Sequence, residues 1–151
     1  NDARSGSDRT IGELIGEAPV EKYDAAVKRS FELYDDAAIV CISRAVNEGK
    51  DAIRTYAHDQ AEDPESEIGR DRHYLELSKN EQDMIEYIKE LGFEKIIVLI
   101  NSANAFQAAP LMADNEIDGL LWISSPGYDG FRALGEILNG EVNPSGHLVD
   151  T

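Results

Sequence analysis

Apolar positions along the chain alternate between helical stripes and short unbroken runs. Tyr23, Val27, Phe31 and Tyr34 recur at spacings of four, four and three, which is one helix face, so a helix is expected from Val20 to Tyr34 with Pro19 near its start. AAIVCI, residues 37–42, follows without polar alternation and predicts a buried strand. Ser78 and Glu81 have the N-cap and N3 spacing of a capping box. Met84, Ile85, Ile88 and Leu91 form the stripe behind them, and Gly92 closes that helix. IIVLI, residues 96–100, predicts a second buried strand, Asn101 to Asn104 a polar turn, and Phe106, Ala109 and Met112 a short helix. GLLWI, residues 119–123, predicts a third strand and SSPGYDG a turn. Phe131, Leu134, Ile137 and Leu138 mark a last helix, ended by Gly140. This alternation predicts an α/β protein, a layered α/β/α sandwich with a mostly parallel sheet.

One segment breaks the rhythm. Residues 43–77 are rich in Asp, Glu and Arg, and run to about twice the ~12–15 residues beyond which loops become uncommon in compact domains. A short helix is expected inside the segment, around Ile53 to Gln60. Residues 1–20 read as a linker or cut end and residues 21–151 as the folded domain.

Charge narrows the partners. The chain carries 30 acidic and 14 basic residues, a net −16, which repels phosphate backbones and anionic membranes, so neither nucleic acid nor a membrane is an expected partner. No apolar stretch approaches the roughly 20 residues of a membrane span. The single cysteine, Cys41, lies inside an apolar run and is expected to be buried and inert. Both a cytoplasmic protein and a secreted bacterial protein without disulfides fit this usage.

In an open parallel sheet, ligands bind beyond the carboxyl ends of the strands. That rule brings Arg44, Glu48, Asn101 and the SSPGYDG turn to one edge. No phosphate-binding glycine motif follows a strand. His58, His73 and His147 lack metal-ligand spacing, and Ser102, Ser124 and Ser125 sit in no GxSxG elbow, so neither a metal nor another cofactor is expected. Carboxylates remain. Any one of 30 acids is ordinarily a solvated charge, but Glu48 stands beside Gly49 on the loop leaving the first strand. Glu65 and Glu67, in PESEIGRDR, are the alternatives.

The motifs AAIVCISRAVNEGKD, YLELSKNEQDMIEYI, EKIIVLINSANAF and GLLWISSPGYDGFRALGEILNGEVNPSG lie between about Tyr34 and Thr151. This part of the chain resembles the second domain of glycoside hydrolase family 3, the β-glucosidase family. The most specific match is Leu138, Gly140, Asn143, Pro144, Ser145 and Gly146, at the family's closing spacing. The resemblance implies an α/β sandwich that lends a loop with the acid/base glutamate to a (β/α)8 barrel in the same full-length chain, which supplies an aspartate nucleophile. Ser43, Arg44, Glu48, Gly49 and Asp51 match the loop pattern of several branches and assign Glu48 the acid/base role. Glu65, Glu67, Asp71 and Arg72 partly match the pattern of other branches. Arg44, at the same strand end, is the candidate substrate contact. A β-glucoside or related carbohydrate is the implied substrate, hydrolysed by a retaining mechanism, and a chain without its barrel is expected to be inactive. A non-catalytic flavodoxin-like binding domain would share the alternation and the acidic surface, but needs neither the NPSG tail nor the Ser-Arg to Glu-Gly spacing.

Overall fold

The computed structural model describes residues 17–44 and 75–148. Three strands, β1 (Ala37–Ser43), β2 (Lys95–Asn101) and β3 (Gly119–Trp122), form one sheet in sequence order. All pairings are parallel. Ala37 to Ser43 stand opposite Lys95 to Asn101, and Ile97 to Ile100 stand opposite Gly119 to Trp122. The helices are α1 (Ala25–Leu33), α2 (Lys79–Leu91), α3 (Ala109–Met112) and α4 (Gly127–Leu138). The protein is therefore an α/β fold built on a parallel sheet, as the alternation predicts. Among the described residues, no helix is long and apolar enough to cross a membrane.

The core lies on one face of the sheet. Ala38, Val40 and Ile42 from β1 and Ile96, Val98 and Ile100 from β2 meet Met84, Ile85 and Ile88 of α2. Phe106 and Leu111 close the same cluster, so the chain around α3 belongs to this layer. Helix α2 has both its predicted ends. The Ser78 hydroxyl accepts from the Glu81 amide, the Glu81 carboxylate accepts from the Ser78 amide, and Gly92 caps the far end in the left-handed region at φ +76°.

Three local expectations change. The helix expected over Val20 to Tyr34 is two pieces, a 3-10 turn at Val20–Lys22 and then α1. Asp24 makes the break, because its carboxylate accepts from the amides of Ala26 and Val27 at 2.8 and 2.9 Å, an N-cap that starts a new helix. Tyr23 and Phe31 still face α2, edge-on to the ring of Tyr87, whereas Tyr34 is exposed.

Strand β1 is covered on one face only. Ala38, Val40 and Ile42 are buried, but Ala37, Ile39 and Cys41 are exposed, Ile39 at 54%. The two-residue period of a strand turns these three away from α2. Cys41, expected to be buried and inert, is thus an exposed thiol. Helix α4 begins earlier than its apolar stripe, at Gly127, and absorbs much of the predicted turn. Gly127 sits at φ +64°, and a Cβ on Gly130 would lie 2.8 Å from the Cβ of Pro126, so both glycines are required by this tight entry. The helix expected around Ile53 to Gln60 lies outside the described residues.

Candidate functional site at the carboxyl edge of the sheet

Parallel strands end together, and their ends here are polar. Ser43 stands opposite Asn101, whose side-chain amide donates to the Ser43 hydroxyl at 3.4 Å. The Arg44 amide donates to the Asn101 carbonyl at 3.1 Å, which carries the ladder one residue past β1. After β2, the fully buried Ser102 closes its turn on itself. Its hydroxyl donates to the Asn104 carbonyl and accepts from the Asn104 amide, at 2.9 and 3.1 Å. The Trp122 indole at the end of β3 donates to the Ser102 carbonyl at 2.9 Å and ties the second and third strand ends together. Ser124, two residues on, has φ +52°, the one non-glycine residue with positive φ among those described. Such backbone strain persists where the surroundings over-determine it. Arg44, Asn101 and the start of the SSPGYDG turn thus share one edge. The carboxylate candidates Glu48, Glu65 and Glu67 lie outside the described residues.

Arg44 is the charged centre of this edge, and it is buried, with 6% of its surface exposed. Its Nη1 and Nη2 donate to Glu81 Oε1 and Oε2 at 2.6 and 2.7 Å, a fork-to-fork pair. Nη1 also donates to the Ser43 carbonyl at 2.8 Å and Nη2 to the Glu76 carbonyl at 2.6 Å. The guanidinium carbon lies 4.9 Å from the centre of the Phe106 ring, within cation–π range. Read from the sequence as a substrate contact, Arg44 is placed with its guanidinium turned inward onto α2. Glu81 carries the other charge. Its Oε2 accepts from the Ser78 amide at 2.8 Å as well as from Arg44, and it sits in the first turn of α2, where the helix dipole favours an anion. Sequence reasoning found Glu81 only as a capping residue. Nothing in its spacing points to Arg44, 37 residues away.

The opposite edge is different in kind. Lys95, at the start of β2, pairs with Asp118 at 2.6 Å, and Asp118 also accepts from the Ile96 amide at 2.9 Å. These bonds, the lysine's first, hold the Asp118 carboxyl below its usual range. Lys89 joins Asp114 and Glu86, and its ammonium is held above its usual value by the bond to Asp114 and then by that to Glu86. The Lys95–Asp118 and Lys89–Asp114 pairs join neighbouring parts of the chain, whereas Lys89–Glu86 lies within α2. Among the described residues, no group of three His, Cys, Asp or Glu side chains is placed to hold a metal ion.

The sequence of this parallel α/β domain matches a known domain model. The model of the glycosyl hydrolase family 3 C-terminal domain covers residues 10–151. The chain belongs to glycosyl hydrolase family 3, as a C-terminal domain. It is 32% identical over 126 residues to Beta-glucosidase A of Butyrivibrio fibrisolvens, covering 78% of this chain and 15% of that protein. It is 31% identical over 81 residues to an exo-1,4-beta-xylosidase of Emericella nidulans, and 28% identical over 82 residues to a probable beta-D-xylosidase 6 of Arabidopsis thaliana. Each of these two matches covers 54% of this chain and 10% of the relative. The chain thus spans a small part of the length of its curated relatives. No solved structure matches it.

Proposed function

We propose that this domain supplies the acid/base carboxylate, Glu48, of a retaining glycoside hydrolase that cleaves β-glucosides. The observation that carries the reading is the position of Arg44. It directly follows β1 at the carboxyl edge, and Glu48 comes four residues later, a tether of at most about 14 Å of extended chain. Membership of the family gives that edge a chemistry. A glucoside is favoured as substrate because the beta-glucosidase relative matches 78% of the chain and the xylosidases only 54%.

A retaining glycosidase needs two carboxyl groups roughly 5–5.5 Å apart, one as nucleophile and one as acid and then base. In this reading the nucleophile comes from a (β/α)8 barrel of the same full-length polypeptide, since a barrel of about 250 residues does not fit within 151. Residues 1–20 are the link towards it and residues 21–151 the sandwich domain. The acid must hold its proton near working pH, which takes burial or a neighbouring negative charge. The barrel would provide both, so the domain alone is inactive.

Glu48→Gln in the full-length enzyme tests the assignment, with aryl β-glucosides and β-xylosides assayed side by side. General acid–base catalysis is typically worth about 10²–10⁴-fold, and a loss of that order, restored in part by azide, is expected. Wild-type activity in Glu48→Gln removes Glu48 from the mechanism and passes the role to Glu65 or Glu67, assayed in the same way. Turnover by the isolated domain that Glu48→Gln abolishes would show that no barrel is needed.

A further inference from the structure

We infer that Asn101, with Ser43 beside it, is a sugar-binding residue that holds a hydroxyl of the glycosyl unit at the carboxyl edge of the sheet. The inference rests on the reading above that a glycoside is cleaved at this edge, but not on which carboxylate is the acid.

The strands end in Ser43, Asn101 and Trp122. The Trp122 N–H is spent on the Ser102 carbonyl. The next polar groups along the chain are spent as well, since Arg44 is buried against Glu81 and the Ser102 hydroxyl closes on Asn104. Asn101 is different. Its amide nitrogen makes one long bond, 3.4 Å, to the Ser43 hydroxyl, and its Oδ1 has no partner among the described residues. The Ser43 hydroxyl meets this amide and, at 3.8 Å, the Cys41 thiol. Both residues are half-buried, so they have given up water without a full set of protein bonds in exchange. They also face one way. The two-residue period of β1 puts Ser43 on the side of Ile39 and Cys41, away from α2, and Asn101 stands opposite it in register. Arg44 turns the other way, onto α2.

The pair carries no charge, which suits a neutral ligand. An anion asks for donors and a cation for acceptors, whereas an amide and a hydroxyl together offer both. Neighbouring hydroxyls of a sugar ring ask for both. One can donate to Asn101 Oδ1 while the next accepts from the amide nitrogen or from Ser43. Such contacts discriminate, because an analogue that lacks the hydroxyl leaves the protein group unpaired.

The test uses the full-length enzyme and an aryl β-glucoside or β-xyloside, whichever is turned over faster, with its monodeoxy analogues, each lacking one sugar hydroxyl. In Asn101→Ala, kcat/KM for the parent glycoside is expected to fall about tenfold, and for one analogue less than about twofold, because that analogue has already lost the contact. Equal losses on the parent and every analogue, or no loss on any, would overturn the inference and leave Asn101 a strand-end residue only. Poor folding of the variant lowers every rate by the same factor, so the comparison between substrates survives it. Asn101→Ser, neutral but too short to keep the contact, is the second variant should Asn101→Ala yield no folded enzyme, and the same pattern is expected.

Glu48→Gln measured in parallel separates this claim from the reading it rests on. The hydroxyl-selective pattern in Asn101→Ala beside wild-type activity in Glu48→Gln keeps the sugar contact and moves the acid elsewhere. Loss in Glu48→Gln without that pattern overturns the contact alone. A full-length protein that hydrolyses neither β-glucosides nor β-xylosides overturns both.

Discussion

Arg44 and Glu81, 37 residues apart in sequence, meet through two parallel bonds of 2.6 and 2.7 Å, with 1% and 6% of their side-chain surfaces exposed. The pair joins the end of the first strand to the first turn of α2. It is also where a local signal and a long-range one fall on the same carboxylate.

Removing one partner leaves the other charged and buried. Glu81→Ala is expected to destabilise the domain by about 3–5 kcal/mol, because it also removes half of the capping box. The Arg44→Met/Glu81→Met double variant loses the same capping bond but leaves no unpaired buried charge, so it is expected to lie between Glu81→Ala and wild type. Urea denaturation of the three proteins checks both statements, and a double variant as unstable as Glu81→Ala would contradict the second.

The entry to α4 makes a contrasting pair of glycines. Gly127→Ala forces an L-residue into φ +64° and is expected to cost about 1–2 kcal/mol. Gly135→Ala, inside the same helix and with open space where its Cβ would go, is expected to gain about 0.5–1 kcal/mol. Thermal melts of the two variants should move in opposite directions.

The Lys89–Asp114 pair gives a pH signature. The bond to Lys89, and then that to the Glu116 amide, hold the Asp114 carboxyl below its usual value of 3.8. The stability it contributes is therefore present above that value and is lost as pH falls through the folded pKa. The Lys89 ammonium is raised above 10.5, so its share is present below that value and is lost as pH rises through the folded pKa. The gap in melting temperature between wild type and Asp114→Asn is expected to be flat at neutral pH and to narrow at both extremes. A gap that does not change with pH would show that the pair contributes no such linkage.

Cys41 is exposed on the folded domain, so a disulfide thiol reagent is expected to titrate one equivalent per chain without denaturant. Reaction only after unfolding would mean that this face is closed. Cys41→Ser serves as the blank.

Local rules reached far into this sequence. The capping box of Ser78 and Glu81, the Gly92 cap and all three strands stand where spacing and composition put them. What they missed depends on the third dimension. AAIVCI is apolar at every position, so nothing in it says that only Ala38, Val40 and Ile42 are covered. The packing of α2 decides that. Asp24 outweighs the helical stripe around it because two amide bonds begin a new helix there. Glu81 looked like a capping residue and nothing more, since no spacing rule spans 37 residues. At the candidate site, the common edge of Arg44, Asn101 and the Ser124 turn was legible from strand direction alone. The inward turn of Arg44 was not.

The clasp at Arg44 also bears on how such a domain can diversify. When two points of a chain are held together by groups outside the intervening stretch, each doubling of that stretch adds only about 0.6 kcal/mol of closure entropy. The bonds that join Arg44 to Glu76 and Glu81 are all made by residues outside the stretch between them, so a longer or shorter stretch changes little in the entropy of closing this junction.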